Sequence, residues 1–324
     1  MKKLMKTVAL ILISTAATAQ SNSNLKNTNA MKRVEFISDG LVLVGNLYFP
    51  ENFDKNEKYP AAVVGGSLTS VKEQMSGTYA TKLAEQGIIG LAIDYRNYGE
   101  SEGQLRQYED PELKLKDLEA AVTYLLSLDY VKSVGALGVC TSGGNVAYLA
   151  ADDQRVKAIA TVAAWLPDEE TLPLLYGSAE NVASLRKKGE EAKNKHASTG
   201  ANDIILAYHN TDQTASHVGP MEYYMDNNSG RRSKERKHES AVMSWNTWLD
   251  FDPMSKASEI TTPFMMVHSD NSALPDNAKK FYNELKGEKE LVWGEGYHFD
   301  YYDQPKQVNA SVESVSSFFI KHLN

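Results

Sequence analysis

Apolar residues along this chain come in short blocks whose spacing switches repeatedly between period two and period three to four. Residues 32–38 and 41–48 alternate as two strands, and Asp39-Gly40 between them is a hairpin turn signal. Residues 60–64 form a compact apolar run ending in Gly65-Gly66, the signature of a strand buried on both faces. Helical spacing over 77–86 stops at Gly87, and another buried strand follows over 88–95. The same reading predicts a helix over 113–128, a strand over 131–139, a helix over 143–151 and a strand over 156–163. From about 165 to 255 the rhythm breaks into more polar, partly helical sequence. It resumes with strands over 263–267 and 290–293 and helices over 277–285 and 308–323. Such alternation specifies an α/β fold: a mostly parallel sheet flanked by helices, with the opening hairpin as an antiparallel edge. The segment 165–255 is expected to be a helical cap insertion.

The first residues read differently. Three lysines lie within residues 1–6, residues 7–14 are apolar, and Ala17-Thr18-Ala19 supplies a small-x-small cleavage pattern. This is the layout of a secretory signal peptide over 1–19, with 20–31 as a polar linker and 32–324 as the folded domain. The expected location is therefore secreted or periplasmic. The apolar run is far below the ~20 residues a spanning helix needs, so no stable membrane insertion is expected. The chain has 324 residues, 42% of them hydrophobic, and a formal net charge of −8. That charge argues against a nucleic-acid partner. The basic run Arg231-Arg232-Ser233-Lys234-Glu235-Arg236-Lys237 reads as a solvated loop. One cysteine, Cys140, excludes an intrachain disulfide and cysteine-rich zinc sites. Neither H-E-x-x-H nor a glycine-rich phosphate loop occurs, so no metal and no cofactor is expected.

Chemistry concentrates at Gly138-Val139-Cys140-Thr141-Ser142-Gly143-Gly144, between a predicted strand and a predicted helix. Small residues stand at minus two, plus two and plus three of Cys140. This is the spacing of the strained nucleophile elbow G-x-S-x-G, with cysteine at the centre. A bulky residue two positions away would clash in so tight a turn. The following helix N-terminus favours thiolate, and the Thr141 N–H is placed to stabilise an oxyanion. Two rival readings make Ser142 the nucleophile or make Cys140 a buried small hydrophobe.

Enzymes built on such an elbow take their acid and then their histidine from loops after late strands. Asp270 ends the run over 263–270 and is the expected acid; Asp276 is the alternative, better suited to the first turn of a helix. His298 alone among seven histidines stands between the last strand and the last helix. His268 reads as structural or pocket-lining. The second oxyanion N–H should come from Gly65-Gly66-Ser67-Leu68-Thr69-Ser70, with Leu68 ahead of Ser67. Trp165, Tyr223, Tyr224, Trp245 and Trp248 are candidates to line an apolar acyl pocket, although each could equally fill the cap's own core.

These motifs resemble the α/β-hydrolase superfamily. More narrowly they are similar to dienelactone-hydrolase-like and X-Pro dipeptidyl-peptidase-like bacterial hydrolases, a group that includes a fungal polyketide transferase. The likeness runs through residues 71–74, the stretch Asp94-Tyr95-Arg96-Asn97-Tyr98-Gly99-Glu100-Ser101-Glu102-Gly103, the elbow, residues 248–252 and residues 297–303. Many superfamily members carry His-Gly in the loop that here reads Gly65-Gly66-Ser67. The resemblance implies an eight-stranded α/β-hydrolase fold and hydrolysis of an ester or related acyl bond on a small-molecule acyl substrate. Cys140, Asp270 and His298 would form the triad and pass through an acyl-enzyme. An acyltransferase or peptidase using the same intermediate, and a non-catalytic binding protein on the same fold, are the alternatives.

Overall fold

The computed structural model describes residues 30–225 and 237–324. The expected signal peptide, nearly all of the expected linker and all of the basic run but Lys237 lie outside the described residues. Eight strands make one sheet: β1 (Met31–Ser38), β2 (Leu41–Tyr48), β3 (Tyr59–Gly65), β4 (Ile89–Ile93), β5 (Val131–Val139), β6 (Val156–Val162), β7 (Phe264–Asn271) and β8 (Lys289–Tyr297). Their spatial order is β1-β2-β4-β3-β5-β6-β7-β8. Only the β1/β2 and β2/β4 pairs are antiparallel. Asp39 (φ 49°) and Gly40 (φ 82°) form the hairpin turn; positive φ at both central residues matches the twist of the strands they join.

Helices cover both faces. On one side α2 (Pro111–Leu126) and α3 (Thr141–Asp152) bury Leu118, Val122, Leu125 and Val146 against the sheet. On the other, α1 (Met75–Glu85) and the C-terminal helix over Pro305–Leu323 bury Tyr79, Leu83, Phe318 and Phe319. Asp110 caps α2 by accepting from the N–H groups of Glu112 and Leu113, and Pro111 occupies the first turn, where no donor is missed.

β7 and β8 extend about four residues past their apolar centres. They pair in parallel register from Phe264↔Lys289 to Asn271↔Tyr297, so ladder hydrogen bonds rather than apolar content set their length. β3, β5 and β6 run in matched register, with Gly65 opposite Gly138 and Gly138 opposite Thr161. Their C-terminal ends therefore share one edge, where a parallel α/β sheet leaves its crevice. Between β6 and β7 the chain leaves the sheet as α4 (Leu172–Tyr176), α5 (Ala179–Thr199), α6 (Glu222–Met225), α7 (Ser244–Trp248) and short strand pairs. α8 (Pro275–Glu284) and α9 (Asp300–Asp303) follow β7 and β8. None of the described helices is long and apolar enough to cross a membrane.

Candidate active site

Cys140 sits at the turn from β5 into α3 with φ 56° and ψ −117°, a backbone conformation costly for any residue with a side chain. Its neighbours explain how the strain is held. A Cβ at Gly138 would lie 2.1 Å from the Ser142 carbonyl oxygen, and one at Gly143 would lie 2.5 Å from the Ala164 Cβ. The Cys140 N–H donates to Val162 O, and its carbonyl accepts from the N–H groups of Gly143 and Trp165. The elbow is thus fixed by backbone on every side, and the thiol is left at the floor of a cavity of about 290 Å³.

Ser142 points away. Its hydroxyl donates to Gly66 O, lies 2.8 Å from Tyr95 Oη, and is wholly buried. It ties the elbow to the loop after β3, so the Ser142 register is not available for attack.

The Thr141 N–H reaches Cys140 Sγ. The Leu68 N–H does not open freely into the cavity: it donates to Thr141 Oγ1 at 3.1 Å, and that oxygen stands 3.7 Å from Sγ. The loop after β3 is clamped further by two tyrosines of the cap. Tyr208 Oη donates to Leu68 O at 2.8 Å, and Tyr224 Oη donates to Ser67 Oγ at 2.7 Å.

His298 follows β8 and lines the same cavity as Cys140. Its Nδ1 accepts from the Ala273 N–H at 3.2 Å, so the neutral ring carries its proton on Nε2. Nε2 lies 3.0 Å from Tyr302 Oη. Tyr302 in turn hydrogen-bonds Cys140 Sγ, so its phenol stands between sulfur and imidazole. Burial, aided by the nearby His268, pushes the His298 pKa down to about 3. His268 is fully buried; its Nε2 lies 3.0 Å from Ala273 O, so one residue joins both imidazoles. Burial also pushes the Cys140 thiol up, against the pull of Tyr302 and Thr141. That reverses the expected lowering by the helix N-terminus, because removing sulfur from water outweighs the amide dipoles.

The expected acid is corrected. The Asp270 side chain is 71% exposed and pairs with Lys279 Nζ at 2.9 Å, away from His298. Ser269 turns inward and donates to Gly296 O, and strand alternation sends Asp270 outward. Asp276 is exposed in the first turn of α8. Asn271, one residue beyond Asp270, lines the cavity beside His298.

Of the aromatic candidates, Trp165, Tyr224 and Trp248 line the cavity. Tyr223 lines an adjoining outer cavity of about 570 Å³ that shares His298 and Phe299. Trp245 is corrected to a position behind the wall, edge-on to Tyr176 at 5.4 Å, where it fills the cap's core. Sequence reasoning missed Tyr208, His217 and Tyr302 as lining residues. Only Tyr302 left a signal, standing four residues after His298 on the turn that carries it. Among the described residues, the one group spaced to ligate a metal is Glu288, Glu290 and His322, and Lys321 Nζ bonds both of its carboxylates.

Comparison with known proteins agrees with this architecture. The chain is 29% identical to the uncharacterized protein YcjY of Escherichia coli K12 over 281 residues, 86% of this chain and 79% of that one. Its fold matches the crystal structure of the hypothetical protein PA2218 of Pseudomonas aeruginosa at TM-score 0.79 and 25% identity, covering 97% and 100% of the two chains. A 132-residue stretch, 40% of each chain, is 39% identical to the thiohydrolase aneE of Aspergillus aculeatus. The sheet order, elbow and late histidine make this an α/β-hydrolase fold of the hydrolase type. The family model of the X-Pro dipeptidyl-peptidase (S15 family) matches residues 39–300, and the chain belongs to that family.

Proposed function

We propose that the protein is a cysteine-dependent acyl hydrolase acting on esters or thioesters. The observation that carries this reading is the Cys140 thiol, presented by a strained elbow at the floor of an apolar cavity that also holds His298. Cys140 attacks the carbonyl carbon and forms a thioester acyl-enzyme, which water then cleaves. His298 is the base, reached through Tyr302: the thiol proton passes to Tyr302 Oη as the phenol proton passes to His298 Nε2. The same path run backward protonates the leaving group. Accepting that proton requires the tautomer with hydrogen on Nδ1, so activation includes loss of the Ala273 N–H contact. No carboxylate is assigned to this pair; a cysteine nucleophile is intrinsically strong and works beside a neutral orienting group in Cys-His-Asn enzymes. The oxyanion is held by the Thr141 N–H, with the Leu68 N–H acting on Thr141 Oγ1 or, once that hydroxyl turns, directly.

The test is turnover of p-nitrophenyl esters and acyl-thioesters of rising chain length, with mapping of the trapped acyl adduct by mass spectrometry. An adduct on Cys140 supports the reading, and turnover without one sinks it. Adding an alcohol or amine acceptor separates hydrolase from acyltransferase by the product formed.

A further inference from the structure

The cavity above Cys140 has an unusual polar inventory. None of its lining residues, among those described, is Lys, Arg, Asp or Glu. Trp165, Tyr208 and Trp248 form much of the wall, and His217 of the cap stands among them. The His217 ring lies 5.7 Å from Tyr208, 5.8 Å from Trp248 and 6.4 Å from Trp165, centre to centre. Burial holds its pKa at about 4, so the ring is neutral at physiological pH.

Its protonation pattern follows from its neighbours. Ser216 Oγ spends its own proton on Ala207 O at 2.8 Å. The contact between Ser216 Oγ and His217 Nδ1, 3.1 Å, must then run from Nδ1–H to oxygen. A neutral imidazole with hydrogen on Nδ1 has a bare lone pair on Nε2. The Ala207 carbonyl also accepts from the ring. Edge-on to that ring, the buried indole Nε1–H of Trp165 has no acceptor. The cavity wall thus presents the His217 ring as a neutral acceptor among Trp165, Tyr208 and Trp248, while the Trp165 Nε1–H is itself buried. A ligand that donates a hydrogen bond to this acceptor inside the cavity gains more than it would in water.

We propose that this cavity selects neutral aromatic acyl groups bearing a distal hydroxyl, and that His217 is the residue that reads the hydroxyl. The hydroxyl donates to His217 Nε2. This rests on the acyl-enzyme reading for the word acyl, but the pocket preference can be measured without turnover. It also sets the protein apart from the peptidase activity that names its family. An X-Pro dipeptidyl group brings a free α-ammonium; the cavity over Cys140 has no carboxylate to pair it, and Glu222, Asp300 and Asp303 line the adjoining outer cavity instead.

The experiment measures binding of three uncharged or singly charged probes to the full chain carrying Cys140→Ala, by quenching of tryptophan fluorescence. The probes are 3-(4-hydroxyphenyl)propanamide, 3-phenylpropanamide and Ala-Pro amide with a free amino terminus. The hydroxylated amide should bind about tenfold tighter than its parent, the gain of one buried hydrogen bond. His217→Phe should erase that gap, and His217→Gln, which keeps an acceptor, should retain part of it. Ala-Pro amide should bind weakest. An equal affinity for the two propanamides, a gap that survives His217→Phe in a variant that still binds 3-phenylpropanamide, or tightest binding of Ala-Pro amide overturns the proposal. Wild-type protein incubated with the p-nitrophenyl esters of the same two acids separates the two readings. Preference in binding with no adduct on Cys140 removes the acyl-enzyme reading and leaves the hydroxyl-reading pocket; an adduct with no preference does the reverse.

Discussion

On the floor of the cavity, where β3 and β5 end, the chain is held by its own backbone, with Cys140 N–H on Val162 O, Cys140 O on two amides, and a glycine where any Cβ would collide. The roof, supplied by the cap between β6 and β7, is held through side-chain tips. Tyr208 and Tyr224 reach down to Leu68 and Ser67, and Trp248 Nε1 donates to Tyr176 Oη at 2.6 Å. Backbone ties of the first kind leave almost no freedom in sequence, since only small residues fit. Ties of the second kind need a hydroxyl at the right height and tolerate many routes for the chain that brings it. On the proposed reading, chemistry falls to the floor and selection to the roof.

The sharpest break in this comparison is on the floor. Cys140→Ala should remove turnover of any acyl substrate by a factor of at least about 1,000, measured as kcat/KM, with circular dichroism unchanged. Ser142→Ala should leave the acyl adduct on Cys140, because its hydroxyl serves Gly66 O and Tyr95.

Next in size is the junction between floor and roof. Tyr302→Phe should lower kcat by about 100-fold, within the range of positioned proton transfer, and raise the pH at which Cys140 reacts with iodoacetamide. Asp270→Asn, by contrast, should stay within about twofold of wild type in the same assay. A 100-fold loss there would restore Asp270 as the acid and require β7 to turn its side chain inward.

Smaller losses are expected on the roof. Tyr208→Phe and Tyr224→Phe each remove one hydrogen bond to the loop after β3, worth about 1 kcal/mol, so kcat/KM should fall roughly fivefold. If both changes together cost no more than one, the two phenols act as one clamp.

The last effect appears in stability. Burial lowers the His268 pKa to about 4 from its ordinary value near 6.5. Above pH 6.5 the ring is neutral in folded and unfolded chains alike and contributes no pH dependence. Between 6.5 and about 4 only the unfolded chain binds the proton, so folding loses up to about 1.4 kcal/mol per pH unit from this ring. Thermal midpoints measured from pH 8 to pH 4 should fall through that window, and fall less in His268→Gln.

The elbow was legible in sequence because its constraint is local. A positive φ at Cys140 and the nearby Ser142 carbonyl demand Gly138 within the turn itself, while Gly143 and Gly144 make room for Ala164 and Phe251. His298 was legible for a related reason: chain order and the end of the last strand fix where it emerges. The sheet was equally readable, since periods of two and of three to four belong to each segment on its own. Asp270 was misplaced because a one-residue difference in strand phase turns a side chain from the cavity to solvent. That phase was set by how β7 pairs with β8, an irregular register between Ser269 and Asn271 that no local pattern encodes. The roof was decided by tertiary structure alone. Trp245 and Trp248 lie three residues apart on one short helix, yet one fills the cap and the other faces Cys140. Their hydrophobicity is the same, and only the packing of the cap on the sheet chooses between them. His217 and Tyr302 meet the site for the same reason: distant parts of the chain are brought together by burial, which is non-directional and leaves no trace in spacing. The sequence by itself determined the fold and the places of the elbow cysteine and the late histidine; tertiary packing decided what surrounds them.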